Sequence, residues 1–134
     1  MCIRDSSNTE REAVLHIPLV EGVALSGWAS LEKGNCPDAT AHVEQVVQLT
    51  TLDAYAIEGV DLIKIDVEGC ELEVLEGARR TITASRPVLI VEIKDCHYDR
   101  VADFAAELGY DVSRLIDVIG VQGSAENFIL RTRP

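Results

Sequence analysis

This chain is short of positive charge. Its 12 lysines and arginines stand against 23 aspartates and glutamates, giving a formal net charge of −11 and a pI near 4.6. A surface of that sign argues against nucleic acid or an anionic membrane surface as a partner. The cysteines, Cys2, Cys36, Cys70 and Cys96, include no C-x-x-C pair and so encode no metal knuckle. Reduced thiols in a cytoplasmic protein are the expectation. No apolar run approaches the ~20 residues of a membrane helix. The first ten residues, Met1 to Glu10, lack the apolar core of a signal peptide. Residues 1–10 therefore read as a leader or truncation segment, and residues 11–134 as one domain. Internal repeats and low-complexity tracts are missing too. What remains, 47% hydrophobic and 26% charged over 134 residues, is enough for a soluble globular domain with a packed core.

The stretch Val60-Asp-Leu-Ile-Lys-Ile-Asp-Val-Glu-Gly69 organises the rest. Val60, Leu62, Ile63, Ile65 and Val67 form an apolar, β-branched run of the kind found in strands buried on both sheet faces. It ends in Asp66, Glu68 and Gly69, after which the period becomes helical, with Leu72, Leu75, Ala78 and Ile82 near one face. In open α/β sheets ligands bind beyond the carboxyl ends of the strands, where these two carboxylates would sit.

Upstream, Ala13 to Leu19 reads as a strand, with Pro18 at an edge or at its end. The turn-rich stretch from Glu21 to Asp38 suits an ordered loop packed through Trp28. Val43 to Leu49 is a second strand, and Leu52 to Ile57 a helical turn. Downstream, the spacing predicts one helix over 71–84. Gly77 costs that helix about 1 kcal/mol relative to alanine, which close packing against the sheet would explain. Pro87 opens a second buried strand, Val88 to Ile93, followed by the polar loop Asp95-Cys-His97. Val101, Phe104, Ala105 and Leu108 mark another helix, with Gly109 as its natural stop. Tyr110 to Ile119 and Asn127 to Arg131 read as strands too briefly joined to be parallel, and so as a closing antiparallel hairpin.

Thr51-Leu-Asp53, Leu62-Ile-Lys-Ile-Asp-Val-Glu-Gly69, Glu71-Leu-Glu-Val-Leu-Glu-Gly-Ala78 and Arg86-Pro-Val-Leu-Ile-Val-Glu-Ile93 together resemble the FkbM-type methyltransferases. Leu15-His-Ile-Pro-Leu19 and Ser26-Gly-Trp-Ala-Ser-Leu31 look like that family's linking segment. The similarity runs from roughly Arg11 to the C-terminus. It implies an α/β, Rossmann-like class I fold with a mostly parallel sheet and a terminal antiparallel hairpin. It also implies S-adenosylmethionine as cofactor and methylation of a hydroxyl on a sugar, glycolipid or polyketide-type acceptor. Such enzymes hold the cofactor mainly through a glycine-rich turn after their first strand, yet this chain has no G-x-G. The expectation is a C-terminal portion that starts beyond the cofactor turn, with its cofactor-binding residues unassigned.

Methyl transfer to a hydroxyl needs aligned reactants and a base near the attacking oxygen. Asp66 is the first candidate for that base, or for orienting the acceptor, and would serve equally as a cap for the following helix. Glu68 would bind acceptor hydroxyls or favour the helix start. Lys64 interrupts an apolar strand and needs a carboxylate, with Glu92 on the next strand as the expected partner or as a substrate ligand. His97 is a substrate-side residue and an alternative base. His16 and His42, read as solitary, are assigned nothing. Two rival readings are a non-catalytic half-Rossmann module that pairs with another chain, a homo-oligomer being one form of such pairing, and a hydrolase holding a metal on Asp66, Glu68 and Glu92. No His or Cys spacing supports a metal, and none is expected.

Overall fold

The computed structural model describes residues 6–31, 33, 36–67, 69–120 and 126–133, and shows an α/β protein with two sheets. The first sheet is antiparallel. β1 (Arg11–Val20) lies between the short β2 (Val23–Ala24) and β3 (Ala41–Leu49). Its long ladder pairs Arg11 with Leu49 and Leu19 with Ala41. Alternation places Leu15, Val47 and Leu49 on one face, packed with Ala13, Ile17, Ala29 and Leu31. Pro18 is buried inside β1 rather than ending it, and its carbonyl accepts the N–H of Leu25 at 2.9 Å. Trp28 does not anchor the following loop, for it is 48% exposed.

The second sheet contains β4 (Leu62–Ile65), β5 (Val88–Glu92), β6 (Tyr110–Arg114) and β7 (Asn127–Thr132), in the order β4-β5-β7-β6. Only β4 and β5 pair in parallel; β7 runs antiparallel to both of its neighbours. The sheet is therefore mixed, where a mostly parallel one was expected. β6 and β7 do pair antiparallel, but they are not a plain hairpin. The ladder ends at Arg114 opposite Phe128, and beyond it Leu115–Ile119 forms α4 instead of continuing the strand. Residues 121–125, which carry the turn expected at Gly123, lie outside the described residues.

β4 was expected to be buried on both faces, yet it is an edge strand among the described residues. Leu62 is 56% exposed. An apolar run reports what a strand is able to bury, not which neighbours it has.

The helix expected over 71–84 divides into α1 (Glu71–Glu76) and α2 (Arg79–Ser85), separated by Gly77 and Ala78. Two features produce the break. Asp53, from a 3-10 turn at Leu52–Tyr55, accepts the backbone N–H groups of Arg80 and Thr81 at 2.8 Å each and the Thr81 hydroxyl at 2.7 Å. That gives α2 its own N-terminal cap from a distant residue. Gly77 packs under the backbone of Ser7 and Asn8, not against the sheet as expected, and a Cβ there would stand 1.9 Å from the Ser7 carbonyl oxygen. Part of the stretch read as a leader thus lies on the domain, where Ser7 donates its N–H to Thr50 O at 2.8 Å.

α3 (Tyr98–Glu107) buries Val101, Phe104 and Ala105, as its spacing predicts, and Gly109 follows it at φ +73°. These side chains join Leu75, Ile82, Leu89, Val91, Tyr110, Phe128 and Leu130 in the main core. No helix among the described residues is long and apolar enough to cross a membrane.

Candidate active site

The carboxyl ends of the parallel pair β4 and β5 gather most of the chain's candidate chemistry. Ile65 is level with Val91 in the ladder, so the chain leaves both strands at the same end of the sheet. Asp66 follows β4 directly. Between it and the first sheet lies a cavity of about 500 Å³. Leu15, Ile17, Leu31 and Val67 give that cavity apolar walls, Ser6, Ser26, Ser30, Gln45 and Cys70 add neutral polar groups, and Asp66 is the one charged lining residue among the described residues.

Asp66 forms an ion pair with Lys64, two residues earlier on the same strand. Period-2 geometry puts residues i and i+2 on one face, so the pairing is local. Lys64 therefore meets Asp66, not Glu92 as expected. Both side chains are about half exposed (54% and 53%). The Lys64 contact uses Oδ2 of Asp66, which leaves Oδ1 to accept from a ligand hydroxyl. Asp66 does not cap α1, whose N-cap is Cys70 and which has no side-chain cap bond. Glu92 is the last residue of β5, half-buried and across from Asn127 of β7. Glu68 lies outside the described residues.

The most buried charge of the region is Glu71, the first residue of α1, which is 0% exposed. Its Oε1 accepts the N–H of Gly69 at 3.2 Å, and its Oε2 lies 2.7 Å from Nδ1 of His97. A carboxylate can only accept, so the imidazole donates from Nδ1. His97 sits in the 3-10 turn Asp95–His97 beyond β5 and keeps 24% of its side chain exposed. Sequence reasoning found His97 but gave Glu71 no role at the site. The available signal was two polar residues, each just past the end of a neighbouring parallel strand.

A second cluster sits on the other face of the antiparallel sheet. The His16 and His42 rings meet edge to face, centroids 6.4 Å apart, with Glu44 Oε1 3.5 Å from His16 Nδ1. Neither histidine is solitary, because the β1–β3 ladder brings them together. Lys33 donates to Glu44 at 2.9 Å, and that hydrogen bond holds the Glu44 carboxyl below the usual range. Among the described residues no three histidine, cysteine, aspartate or glutamate side chains converge to hold a metal.

No curated protein and no solved structure matches the chain. A family model described as the methyltransferase FkbM domain matches residues 7–114. That span covers the antiparallel sheet, the parallel pair β4 and β5, β6, Asp66 and the Glu71–His97 contact, and ends before β7. With most of its length matched, the chain belongs to the FkbM methyltransferase domain family, and its activity is that of a methyltransferase.

Proposed function

We propose that this chain is the acceptor-binding, C-terminal portion of an S-adenosylmethionine-dependent O-methyltransferase with a Rossmann-like class I fold. The observation that carries this reading is the cavity at the end of β4, where one carboxylate stands among apolar and neutral polar walls. Such a lining suits an uncharged, hydroxyl-bearing molecule such as a sugar, glycolipid or polyketide alcohol. Among the described residues it offers no cation to a phosphate or carboxylate. Asp66 accepts the hydroxyl's hydrogen bond and orients it; Lys64 fixes Asp66. Glu92, the last residue of β5, and His97, beyond it, complete the acceptor side in this reading.

The described residues do not fit the methyl donor by themselves. A donor cradle needs backbone N–H groups in close approach, supplied by a glycine-rich turn. The one glycine described in the turn after β4, Gly69, spends its N–H on Val67 O at 3.0 Å and Glu71 Oε1 at 3.2 Å. Donor binding therefore belongs, in this reading, to a part of the enzyme that adds strands at the open edge of β4. The same edge supports a second reading, a non-catalytic module that pairs with another chain through β4. Concentration-dependent assembly of a protein unable to transfer methyl groups would favour it.

The test is acceptor methylation by the native full-length protein and its Asp66→Asn variant. Losing a charge-assisted hydrogen bond removes about 1.5–3 kcal/mol, so kcat/KM should fall by roughly ten- to 150-fold. Unchanged kcat/KM would take Asp66 out of the acceptor site.

A further inference from the structure

We propose that Glu71 and His97 form a carboxylate–imidazole dyad in which His97 Nε2 takes the proton of the acceptor hydroxyl and Glu71 is the positioning residue. The proposal rests on the methyltransferase reading of the same end of the sheet. It begins with a burial that needs a reason. Glu71 is 0% exposed, while Glu73 and Glu76 of the same short helix keep contact with solvent. An acid that merely suits a helix start has no need to leave water. A buried carboxylate is kept only when each oxygen is satisfied. Here Gly69 N–H satisfies Oε1 and His97 satisfies Oε2.

The consequence falls on the imidazole. With Nδ1–H given to Glu71 at 2.7 Å, the neutral ring carries its lone pair on Nε2. A buried carboxylate behind a partly exposed imidazole fixes tautomer and ring orientation, and faces the imidazolium when a proton arrives. Position agrees with the role. Cys70, which lines the cavity, immediately precedes Glu71, and His97 follows β5 as Asp66 follows its parallel neighbour β4. Asp66 and His97 then divide the work. Asp66, engaged by Lys64, holds the hydroxyl, and His97 accepts its proton. In that step the O–H bond breaks, an N–H bond forms at Nε2, and the oxygen keeps the electron pair. Imidazole is the side chain suited to such exchange near neutrality. Among the described residues, Glu71 from α1 contacts His97, Lys94, Asp95 and Asp99 flank it in the sequence, and Arg114 of β6 lines a cavity with Asp95 and Asp99.

Two readouts test the dyad. Imidazole ¹⁵N shifts of the 134-residue chain report the tautomer without any turnover. The expected spectrum has the His97 proton on Nδ1, and Glu71→Gln, whose amide both donates and accepts, should lose that preference. A His97 ring protonated on Nε2 in the unsubstituted chain overturns the proposal. In the native full-length enzyme, His97→Gln, at a partly exposed position that leaves the core intact, should lower kcat by roughly 10²–10⁴-fold. Glu71→Asp should retain more activity than Glu71→Gln. Full turnover in a folded His97→Gln variant overturns the proposal. Absence of methyl transfer by the unsubstituted enzyme would instead overturn the methyltransferase reading, and with it the dyad's catalytic role.

Discussion

Replacing Gly77 by alanine should destabilise this protein, against the usual rule for helices. Alanine is ordinarily the better helix residue by about 1 kcal/mol. The backbone at Gly77, φ −69° and ψ −7°, is also open to alanine without strain. Space decides the sign. A Cβ would stand 1.9 Å from Ser7 O, 2.9 Å from Ser7 C and 3.2 Å from Asn8 Cα. All three are backbone atoms, so no side-chain rotation relieves the overlap. The segment above is tied by Ser7 N–H to Thr50 O at 2.8 Å and by Asn8 Nδ2 to Glu76 Oε2 at 2.9 Å. Moving it forfeits bonds of about 1 kcal/mol each, and moving α1 instead disturbs Leu75 in the core. Overpacking of this kind costs about 1–3 kcal/mol, which outweighs the propensity gain. Urea denaturation of the unsubstituted chain, Gly77→Ala, a deletion of residues 1–8, and the combination would measure it. Gly77→Ala should lower stability in the full chain, and be neutral or stabilising once residues 1–8 are gone. A stabilised Gly77→Ala in the full chain would refute the packing argument.

Two further outcomes follow from single contacts. Leu75 is 0% exposed, so Leu75→Ala should cost about 2–5 kcal/mol in the same urea assay, and a loss below about 0.5 kcal/mol would contradict its place in the core. Asp53→Asn should show a pH-dependent effect. Burial raises the Asp53 pKa, but the Thr81 and Arg80 donors outweigh it and hold the carboxyl below its ordinary value. A depressed native pKa stabilises fully above the unfolded value of about 3.9, and that stability is lost as pH falls through the native value. The stability gap between the unsubstituted chain and Asp53→Asn should therefore be constant near neutrality and narrow in acid. A gap that does not narrow would contradict the charge's role in capping α2.

How much of this was legible in the sequence depended on whether the cause was local. The apolar runs of β4 and β5 and the spacing of Val101, Phe104 and Ala105 reveal themselves within a few residues, and the structure has these elements. The acidic turn after β4 was readable for the same reason. Causes that act across the chain were not. Asp53 caps α2 from 27 and 28 residues away, so the split of the expected long helix had no local sign. Glu71 meets His97 across 26 residues, and its burial depends on how two strand ends stand side by side. Lys64 shows the opposite error: its partner was sought on the next strand when Asp66 lay two residues on. The strand character of Leu115–Ile119 failed because β propensity reports fit to a pleated, half-buried surface, a matter of context that the residues alone do not carry.

The central claim is that a methyl group is placed on a hydroxyl oxygen. The measurement that meets it most directly is the fate of an isotopically labelled methyl group, supplied as S-adenosylmethionine to the native full-length protein with sugar, glycolipid and polyketide alcohols. The account predicts label in an ether that survives mild base, at a rate lowered by Asp66→Asn. Label lost to mild base as an ester, label on nitrogen, or no transfer to any of these alcohols would contradict it.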